Sequence, residues 1–249
     1  MNKPTITAII PAYNEASSIV SVIKNLKPLV NEIIVVDNGS KDATYKVAKE
    51  AGAKVHRENR KVNGIGYGYA HITGMKHATS DYIITVDADG EHPITKISAI
   101  INFAQKNNYD FVLCSRKQTQ SQSIQTKIRR FGIWLFTQAV RILYGYKVQD
   151  LLSGMWVIRR DRVPLLNLSE GGWNLSPEIK LAAITNPEFK VGEYFINASV
   201  RKYGESKQIL WKTGLQHLAF VLSYRIKTLR VSVGATLPKL MRFFTLRIF

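Results

Sequence analysis

The chain of 249 residues predicts an α/β fold built on a mostly parallel sheet flanked by helices, and three observations lead there. Short runs of continuous Ile and Val alternate with segments whose apolar residues recur every three or four positions. The strand-like runs lack the apolar–polar alternation of a sheet wetted on one face, so they fit strands covered on both sides. Three of those runs end in polar and turn-forming clusters, PAYNE, DNGSKD and DADGEH, at the place where parallel sheets collect ligands.

The elements follow in order. TITAIIPA (5–12) is a strand, and residues 15–28 form a helix that sets Ile19, Val22, Ile23 and Leu26 on one face. NEIIVVD (31–37) is a strand ending in turn chemistry, Thr44 to Ala51 a helix, and AKVHRE (53–58) a short strand. A helix over Gly68 to Ala78, a strand YIITVDAD (82–89), a helix over Ile94 to Lys106 and a strand DFVLCS (110–115) complete the first half. The second half opens with an aromatic, basic helix within 124–148. LLSGMWVIRRD (151–161), a helix near Pro177–Ile184, a strand VGEYFINASVR (191–201) and two C-terminal helices follow. No internal repeat or low-complexity tract interrupts the order.

In the first C-terminal helix, Trp211, Leu215, Leu218, Leu222, Ile226, Leu229 and Val233 form a stripe, with Lys212, Arg225, Lys227 and Arg230 off it. Core packing and a membrane interface both fit that stripe. The last segment, from Pro238, sets Phe243, Phe244 and Phe249 among Lys239, Arg242 and Arg247, which suits an anionic membrane surface.

Composition narrows the function. A hydrophobic fraction of 45% is ample for a packed core. The single cysteine, Cys114, lies in an apolar run and reads as a buried small residue in a chain suited to a reducing compartment. The first residues carry no signal-peptide pattern, and no apolar run approaches the roughly 20 residues of a membrane span. The net charge is +17, and residues 111–150 and 201–249 hold 15 of those units. Such clustering points to a polyanionic partner. Nucleic acid is not expected, because the charge gathers beside apolar helix stripes and no recognition motif appears.

The acids Asp87, Asp89 and Glu91 stand at alternate positions after an apolar strand. Repulsion among them needs compensation, either by water in a solvated loop or by a divalent cation. In an extended stretch Asp87 and Asp89 would point the same way, and their hard oxygens suit Mg²⁺ or Mn²⁺. His92, before Pro93, is left outside the ligand set.

Seven motifs in register carry a resemblance: PAYNEASSIV (11–20), VVDNGSKDAT (35–44), NGIGYGYA (63–70), TSDYIITVDADGEHP (79–93), CSR (114–116), DLLSGM (150–155) and RKYGESK (201–207). Together they resemble family 2 inverting glycosyltransferases of the GT-A fold, closest to the polyprenyl-phosphate and dolichyl-phosphate hexosyltransferases. The resemblance implies a GT-A catalytic domain over 1–207 and basic, membrane-associating amphipathic helices over 208–249. It implies a nucleotide-sugar donor held by Pro11, Tyr13, Glu15, Asp37, Asn38, Asp87, Ala88 and Asp89. Asn38 departs from the second Asp of many relatives, which leaves UDP- and GDP-hexose both open. The metal, Mg²⁺ or Mn²⁺, falls to Asp89 with Glu91, and Asp87 lies nearer the ribose.

A lipid-phosphate acceptor arrives ionised and needs cations rather than a base. Arg116, Arg129, Arg130, Arg201 and Lys207 are the candidates, with Ser153 and Ser206 beside them; Arg201 is counted as catalytic. A saccharide hydroxyl acceptor would instead need a carboxylate base, and Asp150 is the residue for it, unless it caps its loop. Glu178 fits either a sugar hydroxyl or the first turn of a helix. The implied setting is peripheral attachment to the cytoplasmic face of an anionic membrane, with a membrane-protein partner or a second copy as further partners.

Overall fold

A computed structural model describes residues 3–117, 124–197 and 213–228, with 124–130 by their backbone alone. Seven strands, β1 (Ile6–Ala12), β2 (Glu32–Asp37), β3 (Lys54–Arg57), β4 (Tyr82–Thr85), β5 (Phe111–Arg116), β6 (Trp156–Arg159) and β7 (Val191–Ile196), form one sheet. Their order is β3-β2-β1-β4-β6-β5-β7. β6 runs antiparallel to both β4 and β5, and every other neighbouring pair is parallel. The expected α/β class with a mostly parallel sheet is what is found. The antiparallel strand carries the same dense apolar run as its neighbours, because a strand covered on both faces shows no mark of its direction.

Helices α1 (Ile19–Leu26), α2 (Thr44–Glu50), α3 (Tyr67–His77), α4 (Ile97–Lys106), α5 (Ile124–Tyr144) and α6 (Leu175–Thr185) connect the strands, and residues 213–228 form α7. Alternate β1 residues feed two cores. Ile6, Ala8 and Ile10 join α1 and α4 on one face, while Ile9 joins α3, α5, α6 and α7 on the other. α6 is buried from Leu175 to Ala183, lysine and glutamate included. Cys114 is buried as expected, and burial pushes its thiol up to about 12.

Two differences from expectation bear on function. β4 stops at Thr85, and residues 88–90 form a turn with Gly90 at φ +76°. Asp87 and Asp89 are thus held by a turn rather than set in line along a strand. In α7 the buried face is Thr213, His217 and Val221, whereas Leu215, Leu222 and Ile226 of the apolar stripe face outward. Arg201, Ser206, Lys207 and the segment from Pro238 lie outside the described residues.

Candidate active site

The ends of β2, β1 and β4 stand side by side at one sheet edge, so PAYNE, DNGSK and DADGE meet there. Pro11 and Ala12 pair with Val36 and Asp37, and the Asn38 N–H donates to the Ala12 carbonyl (2.9 Å). Beyond β1 the chain is bolted to the following loop. Asn14 N–H donates to Ser40 Oγ (2.9 Å), Lys41 N–H to Asn14 Oδ1 (2.8 Å), and Glu15 N–H to Thr44 Oγ1 (2.8 Å). Asp37, buried, accepts from the Ser40 N–H. The Lys61 ammonium lies 4.7 Å from the centre of the Tyr13 ring, bringing a cation and an aromatic face to this end.

Asn38 differs in posture from a residue held out to read a base. It is buried, and its amide nitrogen donates to the Glu58 carbonyl (2.8 Å). Gly66 lies flat against that amide: a Cβ there would meet Asn38 Nδ2 at 2.0 Å. Gly66 of NGIGYGYA is therefore a packing requirement. The same stretch brings Tyr67 to the acids, and burial, together with the charges of Asp87 and Asp89, raises its hydroxyl pKa well above the ordinary tyrosine range.

The acid turn is organised by a residue left out of the sequence-based ligand set. His92 is buried; its Nδ1 accepts from the Asp87 N–H (2.9 Å), and its Nε2 lies 3.4 Å from Asp87 Oδ2. An accepting Nδ1 places the proton of the neutral ring on Nε2, facing the carboxylate. Asp89 and Ala88 are buried, and Asp89 Oδ1 accepts from the Glu91 N–H (3.0 Å). His92 was hard to assign because its partner is a backbone N–H five residues back, a contact that exists only once the turn closes.

Among the described residues, no three His, Cys, Asp or Glu side chains stand together as a complete metal cage. The donor set still fits Mg²⁺ or Mn²⁺. Asp89 and Glu91 bring hard carboxylates on one short turn, and Mg²⁺ is usually bound by one or two carboxylates together with waters and substrate phosphates.

The antiparallel course of β6 brings the loop 150–155 to the same edge as the ends of β4 and β5. Thr85 Oγ1 donates to the Gly154 carbonyl (2.7 Å), and a Cβ on Gly154 would lie 3.0 Å from Asp87 Oδ2. Arg116, at the end of β5, grips Asp150 through Nε (2.6 Å) and Nη2 (3.1 Å). Burial alone would raise the Asp150 carboxyl, but the Arg116 guanidinium outweighs it and holds the group below the usual carboxylate range. Burial disfavours the Arg116 charge in turn. Asp150 beside it, with Asp87 and Glu91 further off, overcomes that and keeps the guanidinium protonated.

Beneath this loop lies Lys180, fully buried. Its ammonium donates to the Leu151 carbonyl (2.6 Å), the Ser153 carbonyl and Ser176 Oγ (3.0 Å), and burial pushes it down to about 7. Ser153 is buried too, its hydroxyl accepting from the Met155 N–H, so it shapes the loop from inside. Asp150 caps its own loop, accepting from the Leu152 N–H (3.1 Å) as well as from Arg116. Glu178, buried in the first turn of α6, accepts from Ser169 N–H, Ser169 Oγ and Glu170 N–H. Arg129 and Arg130 lie in the first turns of α5.

Residues 7–163 match the model of Glycosyl transferase family 2. A UDP-N-acetylglucosamine–dolichyl-phosphate N-acetylglucosaminyltransferase of Methanococcus voltae is 32% identical over 64% of this chain and 71% of its own length. A dolichol-phosphate mannosyltransferase of Pyrococcus furiosus is 28% identical over 89% of this chain and 63% of its own. A low-salt glycan biosynthesis hexosyltransferase of Haloferax volcanii is 27% identical, and the chain spans 53% of its length. Among solved structures, glucosyl-3-phosphoglycerate synthase of Mycobacterium tuberculosis, crystallised with Mn²⁺, UDP and phosphoglyceric acid, superposes with a TM-score of 0.71. It is 20% identical, with 89% of this chain and 78% of that one covered. This likeness carries the GT-A fold. With the adjoining strand ends, the acid turn and a family match across more than half its length, the chain belongs to glycosyl transferase family 2.

Proposed function

We propose that the protein is an inverting, metal-dependent hexosyltransferase that moves a hexose from UDP- or GDP-hexose to a polyprenyl or dolichyl phosphate at the cytoplasmic face of a membrane. The observation that carries the acceptor class is the closed Arg116–Asp150 pair. Both Asp150 oxygens are engaged and the carboxyl is held anionic, which makes it a poor proton acceptor. A neutral hydroxyl needs a base, whereas a phosphate monoester arrives ionised. Relatives named for dolichyl phosphate support the same choice.

In this reading Tyr13, Lys61 and Asp37 receive the nucleotide end of the donor, and the acid turn receives the diphosphate. A divalent cation on Asp89 and Glu91, when bound, would neutralise the charge that grows on the departing diphosphate. The chain's own part is orientation. His92 holds Asp87 by backbone and side chain, and Gly154 leaves the space beside Asp87 Oδ2 uncrowded. Arg116 stands between this turn and the loop 150–155, where its positive charge offsets an acceptor phosphate brought near a diphosphate. Arg129, Arg130, Arg201, Ser206 and Lys207 are proposed to extend that cationic side.

The test is a donor screen with UDP- and GDP-hexoses and Mn²⁺, using a short-chain polyprenyl phosphate and an oligosaccharide as parallel acceptors. Transfer to the lipid phosphate with one nucleotide class is the expected result. Transfer to the oligosaccharide alone would overturn the acceptor assignment. Absence of transfer from every donor, with no thermal stabilisation by nucleotide sugars, would overturn the donor assignment.

A further inference from the structure

α5 and α7 pack against one another on the same side of the sheet. The Phe136 ring lies 6.3 Å from that of His217, the Tyr144 hydroxyl donates to the Val221 carbonyl (2.7 Å), and the Arg225 guanidinium sits 5.4 Å from the centre of the Tyr144 ring. Their inward residues, Phe136, Val140 and Val221, share one core cluster. Ordinary amphipathic helices would then turn polar faces to water. These do not. On α5, Phe131 (63% exposed), Trp134, Leu135 and Ile142 (81% exposed) fall at helix spacing on the face opposite the core. On α7, Leu215 (62% exposed), Leu222 and Ile226 do the same.

We propose that these two outward faces form one surface that seats on an anionic lipid bilayer. Charge decides the occupant. Residues 124–144 and 213–228 contain no Asp or Glu and six Lys or Arg. A second copy docked face to face would bring twelve cations together around a dry contact, at a cost that lipid phosphates do not impose. Residues 229–249 are no better as a cover, since they add four more cations and no acid. Aromatic and aliphatic side chains with basic residues alongside match the apolar boundary and acidic headgroups of a membrane. The inference deepens the proposed function and rests on it for its purpose, because a long-chain lipid phosphate is held in such a bilayer.

The full chain is sedimented with phosphatidylcholine vesicles with and without phosphatidylglycerol, beside the triple variant Ile142→Ser, Leu222→Ser, Ile226→Ser. Wild type is expected to bind the anionic vesicles in a salt-sensitive way, and the variant to bind them about tenfold or more weakly. The variant's thermal melting and its transfer to a water-soluble short-chain polyprenyl phosphate should stay at wild-type levels. Equal vesicle binding by the two proteins overturns the proposal. So does a lower melting temperature in the variant, which assigns the stripes to the core, or a wild-type dimer that the variant loses. Stripe-dependent vesicle binding without transfer to any lipid phosphate leaves the surface standing and removes the acceptor reading instead.

Discussion

Arg116 and Asp150 lie 34 residues apart and meet through two nitrogen–oxygen bonds, Nε to Oδ2 at 2.6 Å and Nη2 to Oδ1 at 3.1 Å. The pair ties the end of β5 to the loop entering β6, with the carboxylate almost wholly enclosed and the guanidinium mostly so. Removing one partner strands the other's charge. Asp150→Asn should therefore cost about 3 kcal/mol, read as a shift of the guanidinium chloride midpoint at constant slope. The Asp150 pKa is lowered in the folded state, so its contribution is complete above the unfolded aspartate value and disappears as pH falls through the folded one. Wild-type stability should accordingly fall more steeply in acid, below about pH 4, than that of Asp150→Asn. Parallel acid limbs would refute this.

Lys180 makes an opposite demand on pH. Burial lowers its ammonium to about 7, while the unfolded chain keeps it protonated to roughly 10. Between those values the unfolded state binds more protons, so stability attributable to this residue rises with pH, by at most about 1.4 kcal/mol per unit. Lys180→Met should remove that rise. It should also raise the acceptor KM more than it lowers kcat, because the lost contacts hold the Leu151 and Ser153 carbonyls of the loop proposed to face the acceptor. Matching pH slopes in the two proteins would count against the titration, and an unchanged KM against the positioning.

Asp89 sits buried on the acid turn, with the Glu91 N–H on its Oδ1. Asp89→Asn keeps the shape and removes a charge, so melting should hold or rise while transfer falls by about a hundredfold or more. EDTA should abolish wild-type transfer and Mn²⁺ restore it. Turnover that survives chelation would dismiss the metal from the reaction.

Two glycines give a packing test with opposite signs. A Cβ on Gly68 would meet the Glu170 carbonyl oxygen at 2.1 Å, and that backbone is pinned by Glu178. Alanine's helix preference, about 1 kcal/mol, cannot offset such a clash, so Gly68→Ala should destabilise by about 2 kcal/mol net. Gly132 on α5 has nothing within 4 Å of its would-be Cβ. Gly132→Ala should stabilise by about 0.5–1 kcal/mol. Thermal melts of both variants check the signs.

Much of the site was legible before any coordinates. PAYNE, DNGSK and DADGE each mark a strand end by local chemistry, and parallel topology sends such ends to a common edge. The contacts that organise the site were not legible. His92 met Asp87 only when the turn closed, and Arg116 against Asp150 and Lys180 against two loop carbonyls were chosen only when distant segments packed. Asn38 shows the same limit: its amide is spent on the Glu58 carbonyl across 20 residues, and no local pattern announces that.

The sequence by itself determined the alternation of strands and helices, the two-sided cover of the sheet and the sign and clustering of charge. Those follow from periodicity, turn residues and composition, which act over a few neighbouring positions. Tertiary structure alone decided the direction of β6, the end of β4 at Thr85 and the outward turn of Leu215, Leu222 and Ile226. An apolar stripe records that a helix has a face to hide, but not whether core or membrane hides it. In α7 the core took Thr213, His217 and Val221, and His217 Nδ1 lies 2.9 Å from Asn174 Oδ1 just before α6, a side-chain partner that the outward aliphatic stripe could not use.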